Sequence, residues 1–324
     1  MNNHTQQRKW LLIPFYDNPA SVSHEENVRR FVDFISNTRQ VIDFNIAVVD
    51  DGSGLSQDRF DGKVDLLVQM PENRGKAQAV REGIRTLIND PDVMPDFIVQ
   101  YDGDGDQSFR DIPLLMDNLI SISEGDPTRS TLIIGDRYSK GLLTSPNPDS
   151  ISYRQSVLIL FGAISRQFGY DVRDWVSGAR GYTREYASRF LGRSRSDNYG
   201  IEAEQLAISY LEGATVRKVP LTDSRRRDPH TDTSKWLQNF DALLAYKDEL
   251  REKGQDVLVD TLENLTQNLR NGNDTFELDL NPLGEDTRMK FERHGITHSA
   301  EIPAGYRSEI FSENGHPFAL RKER

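Results

Sequence analysis

Short apolar runs alternate with stretches in which apolar residues recur every three or four positions, and this alternation predicts strands and helices in turn. Trp10 to Phe15, WLLIPF, is a buried strand that runs into the loop YDNPAS. Val28, Phe31, Val32, Phe34 and Ile35 fall at helical spacing between polar residues. Phe44 to Val49 forms a second strand that ends at Asp50, Asp51, Gly52 and Ser53, and Val64 to Gln69 forms a short third one. Asn73-Arg74-Gly75-Lys76 opens a helix whose stripe is Ala77, Ala79, Val80, Ile84, Leu87 and Ile88. A strand over Phe97, Ile98, Val99 and Tyr101 follows. The order β-α-β-β-α-β predicts an α/β fold with a mostly parallel sheet and helices on both faces, so function belongs at the strand tips.

Further on, the pattern predicts a helix over Ile112 to Ile122 and a strand over Thr131 to Ile134 that leads into Gly135-Asp136-Arg137-Tyr138. The Ser, Pro and Asn-rich stretch from Gly141 to Ser150 is a candidate lid. Helices are expected over Val157 to Phe168, near Arg184 to Leu191 and over Ile201 to Leu211, with a strand over Val216 to Leu221. After a basic run at Arg225 to Arg227, helical spacing returns over Trp236 to Arg251 and Leu258 to Leu269. From Asn271 onward only weak strand signals remain. The expected organisation is a polar tail over 1–9, a catalytic-type α/β domain over 10–224 and a C-terminal extension over 225–324.

Candidate chemistry concentrates in FIVQYDGDGDQSFRDI, where a strand delivers Asp102, Asp104 and Asp106 at its C-terminal end. Carboxylates crowded there suit a hard divalent cation, and an acidic surface turn is the alternative. A helix-loop-helix calcium site is excluded, since its sixth and twelfth positions require Gly and Glu where this chain has Gln107 and Pro113. With no cysteine in 324 residues, any metal must be held by oxygen or histidine. A net charge of −11 and a pI near 5.1 argue against nucleic acid as partner. The polar start MNNHTQQRKW has no signal-peptide core, and no apolar run reaches the ~20 residues of a membrane span. The expectation is a cytoplasmic protein, with peripheral membrane contact left open.

Taken together, IPFYDN, VVDDGS, ENRGKAQAVREG, YDGDGDQ, IIGDRY, DWVSGARGYTRE and IEAEQL, followed by VPL and TSK, span Leu11 to Trp236. In this order and spacing they resemble the family 2 nucleotide-sugar glycosyltransferases of GT-A fold, in particular the dolichyl- and polyprenyl-phosphate sugar synthases. The resemblance implies a base pocket lined by Pro14 and Tyr16 and contacts from Val49 and Asp51 to the base. Asn18 stands where the family usually has glutamate. Asp102 would face the ribose, with Gly103 in the same donor loop, while Asp104 and Asp106 would hold Mg²⁺ or Mn²⁺. Lys76, Arg137 and Lys235 would meet phosphate oxygens, and Asp174, Ser177 and Gly178 would lie on the acceptor side. Glu204 would face the reaction centre, where a hydroxyl acceptor needs a general base and an ionised phosphate needs none.

The implied function is metal-dependent, inverting transfer of a sugar from a nucleotide-diphosphate sugar donor to an acceptor, expected to be a hydroxyl. The alternatives are a polyprenyl phosphate carrier and a non-catalytic nucleotide-sugar-binding regulator. A sugar-nucleotide pyrophosphorylase would carry a glycine-rich loop where this chain has PFYDNPAS. A D-x-D-x-T phosphatase would have threonine at Asp106.

Overall fold

Each apolar run ends where a turn-forming residue or a charge makes further burial costly, and this sets the element boundaries in the computed structural model. The structure describes residues 7–103, 107–137, 161–162, 164–172, 174–222 and 233–271, together with the backbone of four later strands. It divides into two units, Met1–Arg137 with Val176–Arg227, and Tyr138–Trp175 with Asp228–Arg324. Residues 138–175, expected inside the α/β domain, thus group with the C-terminal part of the chain.

The first unit runs β1 (Lys9–Phe15), α1 (His24–Arg39), β2 (Asn45–Asp51), β3 (Leu66–Met70), α2 (Lys76–Asn89), β4 (Phe97–Gln100), α3 (Asp111–Ile122) and β5 (Thr131–Asp136). It continues with β6 (Arg180–Thr183), α4 (Arg184–Arg193), α5 (Ile201–Leu211) and β7 (Thr215–Pro220). The seven strands form one sheet in the order β3-β2-β1-β4-β6-β5-β7. β1 pairs in parallel with β2 and β4, β2 with β3, and β5 with β7, whereas β6 is antiparallel to both β4 and β5.

Helices cover both faces, as the periodicity predicts. On one face Leu11, Ile13, Val48, Phe97 and Val99 pack with Phe31 and Ile35 of α1 and with Ile112, Leu115 and Leu119 of α3. On the other, α2 lies so close to β1 and β2 that a Cβ added to Gly83 would come within 2.5 Å of Leu12 Cδ1 and 2.7 Å of Val49 Cγ2. That close approach is why a glycine sits in the middle of this helix despite its low helix propensity.

The unpredicted strand is β6. Its sequence RGYT contains no apolar run, and it is a strand because it fills the gap between β4 and β5. Gly181 lets the strand lie against Ile133, whose Cγ1 would be 2.6 Å from an added Cβ.

The second unit contains α6 (Thr233–Leu244), α7 (Lys247–Glu252) and α8 (Asp256–Arg270), and helical turns at 161–162 and 164–167. The single helix expected over Trp236 to Arg251 is broken at Ala245 and Tyr246. Phe161 packs at a tilt against Trp175, with ring centroids 4.1 Å apart, and against Trp236 at 5.4 Å. Two antiparallel pairs, Glu277–Asp279 with Ser299–Glu301 and Tyr306–Glu309 with Ala319–Lys322, carry the weak strand signals of the C-terminal stretch.

Thr183 joins β6 to its surroundings. Its buried hydroxyl donates to Arg129 O at 2.6 Å and accepts from Thr131 N at 3.1 Å, and it caps α4 by accepting from Tyr186 N. Thr183→Ala should therefore lower unfolding free energy by about 1–3 kcal/mol, measured by denaturant unfolding. An unchanged midpoint would contradict this account of β6.

Candidate active site

Because β1, β2 and β4 run in parallel, the loops that follow them leave the sheet at one edge. The two antiparallel steps through β6 bring the end of β5, and with it Arg137, to that same edge. This is where an α/β sheet offers a ligand site.

Carboxylates at the strand tips fix the loops. Asp50 accepts from Ser53 N at 2.8 Å and Leu55 N at 2.7 Å, which closes the turn after β2. Asp51 accepts from Arg74 N at 2.7 Å and Gly75 N at 2.8 Å and so ties β2 to the start of α2. Between them Gly52 has φ +83°, and an added Cβ would lie 2.5 Å from Asn73 N. No other residue fits there without moving the chain. After β1, Asp17 accepts from Asn27 at 2.9 Å and pairs with His24 at 2.7 Å, while its N–H donates to Ser53 Oγ at 2.8 Å.

The centre of the edge is Lys76, the first residue of α2. Its Nζ lies 2.9 Å from the Asp102 carboxylate and 2.8 Å from Glu202 Oε1 in the first turn of α5. Burial alone would disfavour the charged amine, but the attraction of Asp102 and Glu202 and their hydrogen bonds outweigh it and raise its pKa above the ordinary lysine value. Folding thus gains from this pairing below the unfolded lysine pKa, and the gain is lost only as pH rises through the higher folded value. The ammonium stays charged throughout the neutral range.

Beneath Asp102 the chain leaves no room for a side chain at position 178. A Cβ added to Gly178 would overlap the Asp102 carboxylate. Gly178 and Ser177 are held in turn by a buried polar ring. Gln100 Nε2 donates to Gly178 O at 3.4 Å, Tyr182 Oη donates to Gln100 Oε1, and Gln205 Nε2 donates to Tyr182 Oη at 3.1 Å. Arg180 closes it, donating to Gln205 Oε1 at 2.7 Å and Ser177 O at 2.9 Å. Burial pushes the Tyr182 hydroxyl well above the ordinary phenol range, so it remains a neutral donor and acceptor.

The expected site residues are distributed as follows. Pro14 and Val49 are register partners in β1 and β2. Val49 is fully buried with its side chain against α2, which leaves only its backbone for a base contact. Tyr16 is 45% exposed beyond β1, and Asn18 is exposed with its Oδ1 accepting from Ala20 N at 3.0 Å. Gly103 packs on α1, where an added Cβ would lie 2.5 Å from Phe31 Cε2. Asp174 (buried) and Lys235 (half-buried on α6) belong to the second unit. Asp104, Asp106, the lid stretch 141–150 and the basic run 225–227 lie outside the described residues.

Glu204 is placed differently from expectation. It is fully buried, and its carboxylate accepts from Ser194 Oγ at 2.5 Å, from Arg195 N and from Ser196 N at 2.8 Å. Arg81 of α2 holds the same segment through Ser194 Oγ, Ser196 O and Asp197. The glutamate that meets Asp102 and Lys76 is Glu202, two residues earlier.

Among the described residues no cluster of histidines and carboxylates is arranged to hold a metal. The sequence around Asp104 and Asp106 nevertheless offers only oxygen donors, and among the described residues the buried Gln107 Oε1 has no hydrogen-bond partner. That donor chemistry fits a hard dication such as Mg²⁺ or Mn²⁺.

Mannosyl-3-phosphoglycerate synthase from Rubrobacter xylanophilus superposes with a TM-score of 0.51 at 13% identity, covering 77% of this chain and 75% of that one. The fold is GT-A. Glycosyltransferase AglJ of Haloferax volcanii is 30% identical over 224 residues, which cover 67% of this chain and 63% of AglJ. The chain thus spans less than two thirds of AglJ's length. Protein MJ1222 of Methanocaldococcus jannaschii is 27% identical over 182 residues, or 55% of this chain and 69% of that protein. No family model matches the chain.

Because the Asp102 carboxylate occupies the space beside Gly178, Gly178→Ala should displace it with little change in unfolding temperature. If this edge serves a transfer reaction, its rate should fall by about 100-fold, the effect of misplacing a group by about 1 Å. Transfer at the wild-type rate would show that the position of Asp102 does not matter.

Proposed function

We propose that this protein is a glycosyltransferase that moves a sugar from a nucleotide-diphosphate sugar, with inversion, to an acceptor oxygen that is already ionised. The GT-A fold and the likeness to a glycosyltransferase over 224 residues support the class. The observation that carries the donor reading is the sheet edge itself, where Asp51, Asp102 and Lys76 stand together at three element ends.

In this reading Pro14, Tyr16, Asn18, Val49 and Asp51 border the base, Asp102 accepts from the ribose hydroxyls, and Gly103 lets the donor loop pack tightly on Phe31. Lys76 and Arg137 neutralise the diphosphate. Asp104 and Asp106 would hold Mg²⁺ or Mn²⁺, which supplies Lewis-acid stabilisation of the charge on the departing nucleoside diphosphate. Ser177 and Gly178 border the sugar.

The acceptor reading changes with the placement of Glu204. A neutral hydroxyl needs a base within reach of its proton. Glu204 has its oxygens committed to Ser194, Arg195 and Ser196, and both Asp102 and Glu202 are ion-paired with Lys76. These commitments favour an acceptor that needs no deprotonation, such as the phosphate of a polyprenyl phosphate. Among the described residues no helix is long and apolar enough to cross a membrane.

Two measurements test this reading. Asp104→Asn should remove most transfer and the Mg²⁺- or Mn²⁺-dependent part of nucleoside-diphosphate binding, because an amide is a poor substitute for a carboxylate on a hard cation. Undiminished turnover would contradict the metal assignment. With a nucleotide-sugar panel and Mn²⁺, wild-type protein should release nucleoside diphosphate faster with polyprenyl phosphate than with free sugars. The reverse preference would restore the hydroxyl reading.

A further inference from the structure

Lys76 sits where two helices begin, at the first residue of α2 and against the first turn of α5. Helix N-termini favour anions, and here the anion that α5 supplies to Lys76 is its own Glu202. The Glu202 side chain is only 5% exposed, and among the described residues its charge partner is Lys76. Two carboxylates on one ammonium leave the cluster with an excess negative charge. An incoming diphosphate therefore meets an edge whose cation is already occupied and whose second carboxylate repels it.

We infer that Glu202 is a built-in competitor for the donor's diphosphate, holding Lys76 before the donor binds and reclaiming it when the nucleoside diphosphate leaves. This inference rests on the nucleotide-sugar reading above and adds to it a function for a carboxylate that the transfer itself does not use. The competition has a physical basis in the number of donors. Lys76 has three N–H groups, and three oxygens face them, Asp102 Oδ1 and Oδ2 at 2.9 Å each and Glu202 Oε1 at 2.8 Å. A diphosphate oxygen can reach Lys76 only by taking a place that one of them holds. Asp102 is wedged against Gly178, so Glu202 is the partner that gives way. Donor binding is weakened by the loss of that pair, and product release, which limits turnover in many enzymes, is helped by its return.

A carboxylate with a purely structural part would give weaker or unchanged ligand binding when neutralised. A competitor gives the opposite sign. The test is calorimetric titration of the full chain with UDP, GDP, CDP and ADP, each with Mn²⁺, on wild type, Glu202→Gln, Lys76→Met and the double variant. Whichever nucleotide binds wild type should bind Glu202→Gln about 5-fold or more tightly, the lower end of ordinary coupling energies. Lys76→Met should weaken binding, and Glu202→Gln should give no tightening in that background, since the effect runs through Lys76. Equal or weaker binding by Glu202→Gln would overturn the inference, as would tightening that survives without Lys76. Should Lys76→Met fail to fold, Lys76→Gln takes its place in the cycle with the same outcomes. Binding of none of the four nucleotides to wild type would overturn the nucleotide reading, and the inference with it.

Discussion

One ammonium group joins three elements that are far apart in the chain. Lys76 begins α2, Asp102 follows β4, and Glu202 begins α5, and the ion pairs between them fix the geometry of the sheet edge. Partly buried charges such as these gain from being paired and hydrogen-bonded, so the three groups help to position one another. Without Lys76 the carboxylates of Asp102 and Glu202 would lack their shared cation. What the site can do follows from that: it holds negative charge close together and keeps a cation beside it.

The scaffold beneath the edge is made of residues that leave no slack. Gly178 yields its side-chain space to the Asp102 carboxylate, Gly52 takes a backbone conformation that L side chains avoid, and Gly83 brings α2 down onto β1 and β2. Asp51 spends two acceptor positions on the amides of Arg74 and Gly75, which leaves its remaining lone pairs for a ligand. The buried ring of Gln100, Tyr182, Gln205 and Arg180 then locks β4, β6 and α5 to one another. A buried network with its hydrogen bonds made is rigid, and rigidity at this point keeps Asp102 and Glu202 in register.

Most of the α/β framework was legible because each parallel strand is an apolar run and each helix has an apolar stripe. β6 was not, since RGYT is held by its neighbours and carries no run of its own. The tips of β2 and β4 were legible as acidic ends, and Asp51 and Asp102 do sit at the edge. The division between Glu202 and Glu204 was not legible for a specific reason. From Ile201 to Ser209 every residue of α5 is buried, so amphipathicity gives no indication of which face meets the site. Nor could the sequence reveal that Asp51 holds the α2 amides, because that contact depends on how β2 and α2 are placed by the sheet.

We propose the edge formed by Asp51, Lys76 and Asp102 as the donor site. The most direct measurement is a crystal structure of the full chain with Mn²⁺ and the nucleoside diphosphate that binds it. The account predicts ribose hydroxyls on Asp102, a diphosphate oxygen within hydrogen-bond distance of Lys76 Nζ, and the base beside Tyr16 and Asp51. A nucleotide bound elsewhere on the chain, with the Lys76 ion pairs to Asp102 and Glu202 unchanged, would contradict it.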